Sequence, residues 1–124
     1  MKKVLIVEDN TLNMKLFNDV LLANGYQTAQ SVTGLDVIEL CESFKPDVVV
    51  LDIQLPEISG FEIIKQIREN PPHKDIPVVA ITAFAMHGDE EKILASGCNA
   101  YLSKPISVGR FLEHIQHFCH RDAA

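Results

Sequence analysis

The sequence predicts an α/β fold in which helices cover both faces of a doubly wound, five-stranded parallel sheet. Three observations lead to this prediction. Short apolar runs alternate with amphipathic stretches along all 124 residues, which is typical of a sheet between two helical layers. Most of the runs are almost entirely apolar, as in parallel strands that are buried on both faces. The run at 26–31 is much more polar, which indicates an edge strand.

The predicted strands lie near residues 3–7, 26–31, 47–51, 77–82 and 100–102. The predicted helices lie near residues 11–24, 34–44, 60–69, 86–95 and 107–119. Gly25 is expected to end the first helix, because glycine readily adopts the backbone conformation that follows a helix. Thr33 and Asp36 resemble a capping box at the start of the second helix. Asn70 and the two prolines after it end the third helix.

The first helix has more apolar residues than one buried stripe requires. Phe17, Val20 and Leu21 form the stripe that we expect to face the sheet. Leu12 and Leu16 are four residues apart and lie well off this stripe. We therefore expect both leucines to be exposed on the outer face of the helix.

The last helix carries an apolar stripe of four residues, Phe111, Ile115, Phe118 and Cys119. His114, His117 and His120 recur every three residues on the same helix, a spacing that would also suit a metal site. At about 100° per residue, however, His117 and His120 fall on the solvated side, and His114 falls near the edge of the stripe. We interpret these histidines as surface residues.

Composition and charge exclude several classes of protein. The chain is 47% hydrophobic, so we expect residues 1–124 to form one globular domain with no output domain. A net charge of −6 argues against nucleic-acid binding, which needs clustered positive charge. The apolar run after Lys3 is too short for a signal peptide or a membrane span. The 3 cysteines of the chain are widely spaced, which indicates reduced thiols in a cytoplasmic protein.

Charged side chains follow three of the predicted strands. Glu8 and Asp9 follow the first strand, Asp52 follows the third, and Lys104 comes just after the fifth. The carboxyl ends of parallel strands meet at one edge of a sheet, where α/β proteins bind their ligands. Clustered carboxylates repel one another and raise each other's pKa unless a cation compensates them. We therefore expect a bound metal ion, and Mg²⁺ suits a set of carboxylate oxygens.

Five motifs occur in order along the chain: Glu8-Asp9, Asp52, Pro56 with Gly60, Thr82-Ala83, and Lys104-Pro105. In this arrangement the chain resembles, over its whole length, the receiver domain of two-component response regulators. The resemblance implies a flavodoxin-like (CheY-like) three-layer sandwich with the strand order 2-1-3-4-5. The segments 7–17, 51–60, 81–93 and 103–107 are most similar to the single-domain DivK-type regulators of cell-cycle progression.

The resemblance also implies roles for the acidic residues. Asp52 would be the phosphorylation site, accepting a phosphoryl group from a histidine kinase. Asp9, Asp52 and the backbone carbonyl of Gln54 would bind Mg²⁺ directly, and Glu8 would hold the ion through water. Gln54 and Phe84 would flank the path of an attacking water, and the bulk of Phe84 would give the phosphoryl group a long lifetime.

Further roles concern the residues that stabilise and report phosphorylation. Thr82, the backbone N–H of Ala83 and Lys104 would stabilise the phosphoryl oxygens. The Lys104-Pro105 bond would be cis, as in the family. Thr82 and Tyr101 would form a switch in which the aromatic ring moves inward when the threonine turns toward the phosphoryl group. Leu12 and Leu16 would bind a partner helix.

The sequence therefore predicts a phosphoacceptor signalling protein, and not an enzyme that acts on other substrates. It would catalyse only its own phosphorylation and dephosphorylation. The expected partners are histidine kinases or phosphatases, with a phosphotransfer protein as an alternative donor. We expect no binding to nucleic acid or membranes, and a monomer for which dimerisation after phosphorylation is left open. The expected process is control of the cell cycle or of division.

Two other functions are alternatives to this prediction, and the second of them, a flavodoxin-like carrier, has the same strand order. A phosphatase of the haloacid dehalogenase type also attacks phosphate with a strand-end aspartate, but it needs an acidic residue two positions later, where this chain has Gln54. A flavodoxin-like cofactor carrier would need a first loop rich in Ser, Thr and Gly. The residues Glu8, Asp9 and Asn10 would instead repel a phosphate unless a metal ion intervened.

Overall fold

The computed structural model describes residues 2–83 and 89–120. The strands are β1 (Lys3–Val7), β2 (Gln27–Ser31), β3 (Val48–Asp52), β4 (Val78–Thr82) and β5 (Ala100–Ser103). The helices are α1 (Thr11–Ala23), α2 (Val37–Phe44), α3 (Gly60–Arg68), α4 (Asp89–Ala95) and α5 (Val108–His120). The beginning of the fourth helix as predicted, at 86–88, lies outside the described residues. Strands and helices alternate along the chain, as the sequence predicts.

The five strands form one parallel sheet in the order β2-β1-β3-β4-β5, which confirms the predicted order. The polar strand β2 lies at an edge, where a helical layer covers it less completely. Alternate side chains of the sheet belong to two separate cores. Leu5 and Leu51 pack into the core that includes residues of α2 and α3. Val4 and Val50 pack with residues of α1 and α5, so the molecule is a three-layer sandwich.

The exposure of the helix residues follows the predicted periodicities. In α1, Phe17 and Leu21 are buried and Val20 is partly buried. Leu12 is 78% exposed and Leu16 is 40% exposed, so both leucines lie off the core as predicted. In α5 the buried residues are Phe111, Ile115 and Cys119, while His117 and His120 are exposed. No helix in the described part of the chain is long and apolar enough to cross a bilayer.

The capping box at the start of α2 was predicted wrongly, although the helix itself lies within a few residues of its predicted position. The helix begins at Val37, and Asp36 precedes it without a capping hydrogen bond from its side chain. Thr33 Oγ1 instead accepts a hydrogen bond from the N–H of Leu35 at 3.1 Å. Gly34 has a φ of +85°, and a Cβ there would lie 2.6 Å from Cδ1 of Ile63. The chain therefore makes a tight turn against α3 before the helix begins, and the apparent capping box is part of that turn.

Gly60 fixes the path of the chain after β3. A Cβ on this residue would lie 2.5 Å from Cα of Ile53, so α3 begins closer to the strand end than any other residue allows. The N–H of Gly60 donates to the carbonyl of Ile53 at 2.9 Å. Ser59 caps α3 by accepting a hydrogen bond from the N–H of Phe61. These contacts hold the loop that follows Asp52 in one conformation.

Candidate functional site

The carboxyl ends of β1, β3 and β4 place three polar side chains under the surface of one edge of the sheet. Glu8 directly follows β1, and Asp52 and Thr82 are the last residues of β3 and β4. Glu8 is 1% exposed, Asp52 3% and Thr82 1%. Such burial of two carboxyl groups is unusual unless they are paired or bind a cation. The sequence prediction that these residues meet at one edge is confirmed.

Asp9 completes an acidic cluster at this edge. Carboxylate oxygens of Glu8, Asp9 and Asp52 all lie within 4.8 Å of one another, while the side chain of Asp9 is exposed. Oε1 of Glu8 is buried and receives no hydrogen bond from the residues that the structure describes. Carboxylate oxygens at this spacing are the ligands that small divalent cations prefer. The cluster therefore fits a hard metal ion such as Mg²⁺.

Lys104 brings a positive charge to the same cluster from the end of β5. Its Nζ lies 2.9 Å from Oδ2 of Asp52 and 3.4 Å from Oε1 of Glu8. Burial alone would lower the pKa of Lys104, but its hydrogen bond with Asp52 and the charges of both carboxyl groups raise it. The N–H of Lys104 donates to the carbonyl of Thr82 at 2.8 Å. The Lys104-Pro105 bond is cis, as the resemblance implied.

The two buried carboxyl groups are held in different protonation states. Burial and the neighbouring Asp52 raise the pKa of Glu8 from 4.5 to about 7. Burial alone would also raise the pKa of Asp52, but hydrogen bonds with Glu8, Lys104 and the N–H of Gln54 outweigh burial and lower it. In the absence of metal, Asp52 is therefore the group that ionises first, and Glu8 keeps its proton to higher pH. A cation would displace that proton.

Gln54 lies at the mouth of the site, in the loop after β3. Its backbone N–H donates to Oδ1 of Asp52 at 2.8 Å. Its exposed side chain reaches across the sheet edge, where Oε1 accepts a hydrogen bond from the N–H of Ala83 at 3.3 Å. No local sequence pattern predicts this second contact, because it joins residues that are 29 positions apart.

Of the remaining predicted residues, Tyr101, Leu12 and Leu16 lie in the part of the chain that the structure describes. Tyr101 is partly buried in β5 and packs against the core that includes residues of α2 and α3. Its switching role stays a prediction. Phe84, which was expected to shield the path of an attacking water, lies outside the described residues. Leu12 and Leu16 are on the exposed face of α1, which begins two residues after Asp9.

Comparison with known proteins agrees with this geometry. Residues 4–116 match the family described as the response regulator receiver domain. The chain is 52% identical to the polar-differentiation response regulator DivK of Brucella anthropi over 94% of this chain and 95% of that protein.

Two solved structures share the fold. One is the receiver domain of the Francisella response regulator 1452, with a TM-score of 0.90 and 24% identity over 98% of this chain and 99% of that one. The other is the receiver domain of the sensor histidine kinase PA1611 from Pseudomonas aeruginosa PAO1, which has a magnesium ion coordinated in its active site cleft. It has a TM-score of 0.87 and 29% identity over 95% of this chain and 97% of that one. The chain belongs to the response regulator receiver domain family.

Proposed function

We propose that Asp52 accepts a phosphoryl group from a phosphohistidine of a histidine kinase, and that the phosphorylated protein signals by contact with other proteins. The observation that carries this proposal is the state of Asp52. It is a buried carboxylate that stays ionised because Lys104 and the N–H of Gln54 hydrogen-bond to its two oxygens. An ionised carboxylate in a site that attracts cations is a competent nucleophile toward phosphorus.

In the transfer step, one oxygen of Asp52 attacks the phosphorus atom while the P–N bond to the kinase histidine breaks. The imidazole nitrogen leaves with the electron pair of that bond. Lys104, already 2.9 Å from Asp52, would face the phosphoryl oxygens and stabilise their charge. The hydroxyl of Thr82 and the N–H of Ala83 would donate hydrogen bonds to two of those oxygens. In this scheme the protein catalyses only its own phosphorylation and dephosphorylation.

Mg²⁺ belongs to the proposal because the acidic cluster fits it. Asp9, Asp52 and the backbone carbonyl of Gln54 would hold the ion directly, and Glu8 would hold it through water. When bound, Mg²⁺ would supply positive charge that offsets the charge of the phosphoryl oxygens. The PA1611 receiver domain, with its coordinated magnesium ion, supports this choice of metal.

Mg²⁺ is expected to raise the thermal midpoint of the wild-type protein, because an ion that binds only the folded site stabilises it by mass action. Asp9→Ala should reduce or remove this response. Differential scanning calorimetry with and without Mg²⁺ at matched ionic strength measures the shift. Asp19→Ala, which removes an exposed carboxylate on α1 outside the acidic cluster, is the matched control and should respond like wild type. Equal shifts in wild type and Asp9→Ala would contradict the assignment of Asp9.

The output of the protein follows from its relatives and from its surface. The Brucella relatives are polar-differentiation regulators, which supports a role in the control of cell polarity, the cell cycle or division. The signal would pass to kinases or phosphatases through a change of packing around Thr82 and Tyr101. The buried free thiols support a cytoplasmic location. The resting protein would be a monomer.

Leu16→Ala is expected to slow phosphotransfer from the cognate kinase about tenfold at subsaturating concentrations. The reason is that an exposed leucine, four residues from Leu12 and beside the site, would be an apolar anchor worth about 1–2 kcal/mol of binding. Phosphorylation by a small-molecule donor should be unchanged. Leu22→Ala, which truncates another exposed leucine near the far end of α1, should not slow transfer. Equal slowing with both donors, or a large loss of thermal stability, would place Leu16 in the core instead.

The direct test of the function uses the wild-type protein, Mg²⁺ and a small phosphodonor such as an acyl phosphate. Intact-mass spectrometry should show the addition of one phosphoryl group, and borohydride trapping followed by peptide mapping should locate it on Asp52. No added mass, or phosphate on another residue, would overturn the proposed function.

A further inference from the structure

The side chain of Gln54 occupies a hydrogen-bond donor that a phosphoryl group would need. Its Oε1 accepts from the N–H of Ala83 at 3.3 Å. In the proposed chemistry the same N–H donates to an oxygen of the phosphoryl group on Asp52. A backbone N–H carries a single hydrogen, so it cannot serve both acceptors at full strength. The two interactions therefore compete.

The backbone of Gln54 does not need to move in this competition. It is fixed on one side by the 2.8 Å hydrogen bond from its own N–H to Asp52 Oδ1. On the other side it is fixed by an antiparallel bridge to Ser59 and by the close packing of Gly60 on Ile53. The side chain, by contrast, is exposed and has rotatable bonds. The movable part is thus the carboxamide, which can leave Ala83 without disturbing the loop.

We propose that the carboxamide oxygen of Gln54 stands in for a phosphoryl oxygen in the resting protein, and that its contact with Ala83, which a phosphoryl group has to displace, lowers the affinity of the site for that group. This inference rests on the proposed phosphorylation of Asp52. Gln54 is in this sense a positioning residue. Its side chain accepts the hydrogen bond from the N–H of Ala83 before phosphorylation. It has to release that N–H when the phosphoryl group arrives.

The size of the effect follows from the strength of one exposed hydrogen bond. If the Gln54–Ala83 bond is populated most of the time, only the remaining fraction of molecules presents a free N–H. The apparent dissociation constant for a phosphoryl group is the intrinsic constant divided by this fraction, so it rises as the fraction falls. A bond of ordinary net strength corresponds to about a threefold to tenfold loss of apparent affinity. Removing the carboxamide should therefore raise the apparent affinity for a phosphoryl group by the same factor.

Beryllofluoride, a tetrahedral mimic of a phosphoryl group on a carboxylate, measures this affinity without covalent chemistry. Titrations would compare wild type with Gln54→Met and Gln54→Ala in saturating Mg²⁺. Both variants lack the acceptor but differ in size, so both should bind the mimic about threefold to tenfold more tightly. Gln66→Met changes an exposed glutamine on α3 and should bind like wild type. Unchanged or weaker binding in both Gln54 variants, or a gain in only one of them, would overturn the inference.

Amide hydrogen exchange at Ala83 provides a readout that does not depend on phosphorylation. In the metal-free, unphosphorylated protein, Gln54→Met should speed exchange at Ala83 about threefold to tenfold, because the N–H loses its acceptor. Equal exchange rates would overturn the inference. Failure of the proposed function looks different, since wild type itself would then not bind beryllofluoride at all.

Discussion

Asp52→Asn is expected to abolish phosphorylation while the protein keeps its fold. Asparagine preserves the volume of the side chain and can still accept the hydrogen bond from the N–H of Gln54. It lacks the negative charge that attacks phosphorus, so the acyl phosphate cannot form. Glu8 then loses the neighbouring charge that raises its pKa, and it can ionise and pair with Lys104, which lies 3.4 Å away. We therefore expect no loss of stability in the metal-free variant at neutral pH.

The measurement is the incorporation of phosphate from a small donor, followed by mass spectrometry, together with a thermal melt of the same sample. Asp47→Asn is the matched control. Asp47 immediately precedes the same strand at its opposite end, where its Oδ2 accepts a hydrogen bond from the N–H of Lys3. That variant should still be phosphorylated. Stoichiometric phosphorylation of Asp52→Asn at the wild-type rate would show that the acceptor is another residue.

The metal-free protein is expected to lose about 2–3 kcal/mol of stability through Glu8 as the pH rises from about 4.5 to about 7. The pKa of Glu8 is 4.5 in the unfolded chain and about 7 in the folded protein. In this window the folded protein therefore binds more protons than the unfolded chain, and stability falls with rising pH. The lowered pKa of Asp52 acts only at more acidic pH, where its contribution is lost as the pH falls.

Glu8→Gln isolates this contribution, because glutamine has nearly the same shape and does not titrate. Denaturant unfolding in the presence of a chelator, at several pH values, should give a flatter pH dependence for the variant than for wild type. Near pH 7 the variant should be the more stable of the two. Wild type and variant differ only at residue 8, so the difference between their profiles reports Glu8 alone. Parallel pH profiles would contradict the raised pKa of Glu8.

The fold could be predicted from the sequence because its signals are local. Alternating apolar runs and amphipathic stretches predicted each described strand and helix to within a few residues, and the error at α2 concerns its cap. The polarity of β2 gave its position at the sheet edge. The error at α2 arose because a threonine followed by an acidic residue suggested a helix cap, whereas the contact of Gly34 with α3 decides the turn. That contact joins segments far apart in the chain.

The acidic cluster could also be predicted, since each of its members follows a strand directly. Two properties of the site could not. The division of the pKa values between Glu8 and Asp52 depends on burial and on the distance to Lys104, which only the folded chain defines. The hydrogen bond from Ala83 to Gln54 depends on the register of β3 against β4 and on a side-chain rotamer. No short sequence pattern encodes either of these.

The register of the strands determines which side chains meet at the edge of the sheet. Asp52 lies beside Ile81 and Thr82 beside Ser103 in the hydrogen-bonded ladder. Successive side chains point to opposite faces, so a slip of one residue would turn Asp52 away from Glu8 and Lys104. A residue inserted within β3 would therefore delete the site in one step, whereas one inserted in a surface loop would leave it intact. Changes in partner choice can then accumulate on helix faces and loops without altering the phosphoacceptor.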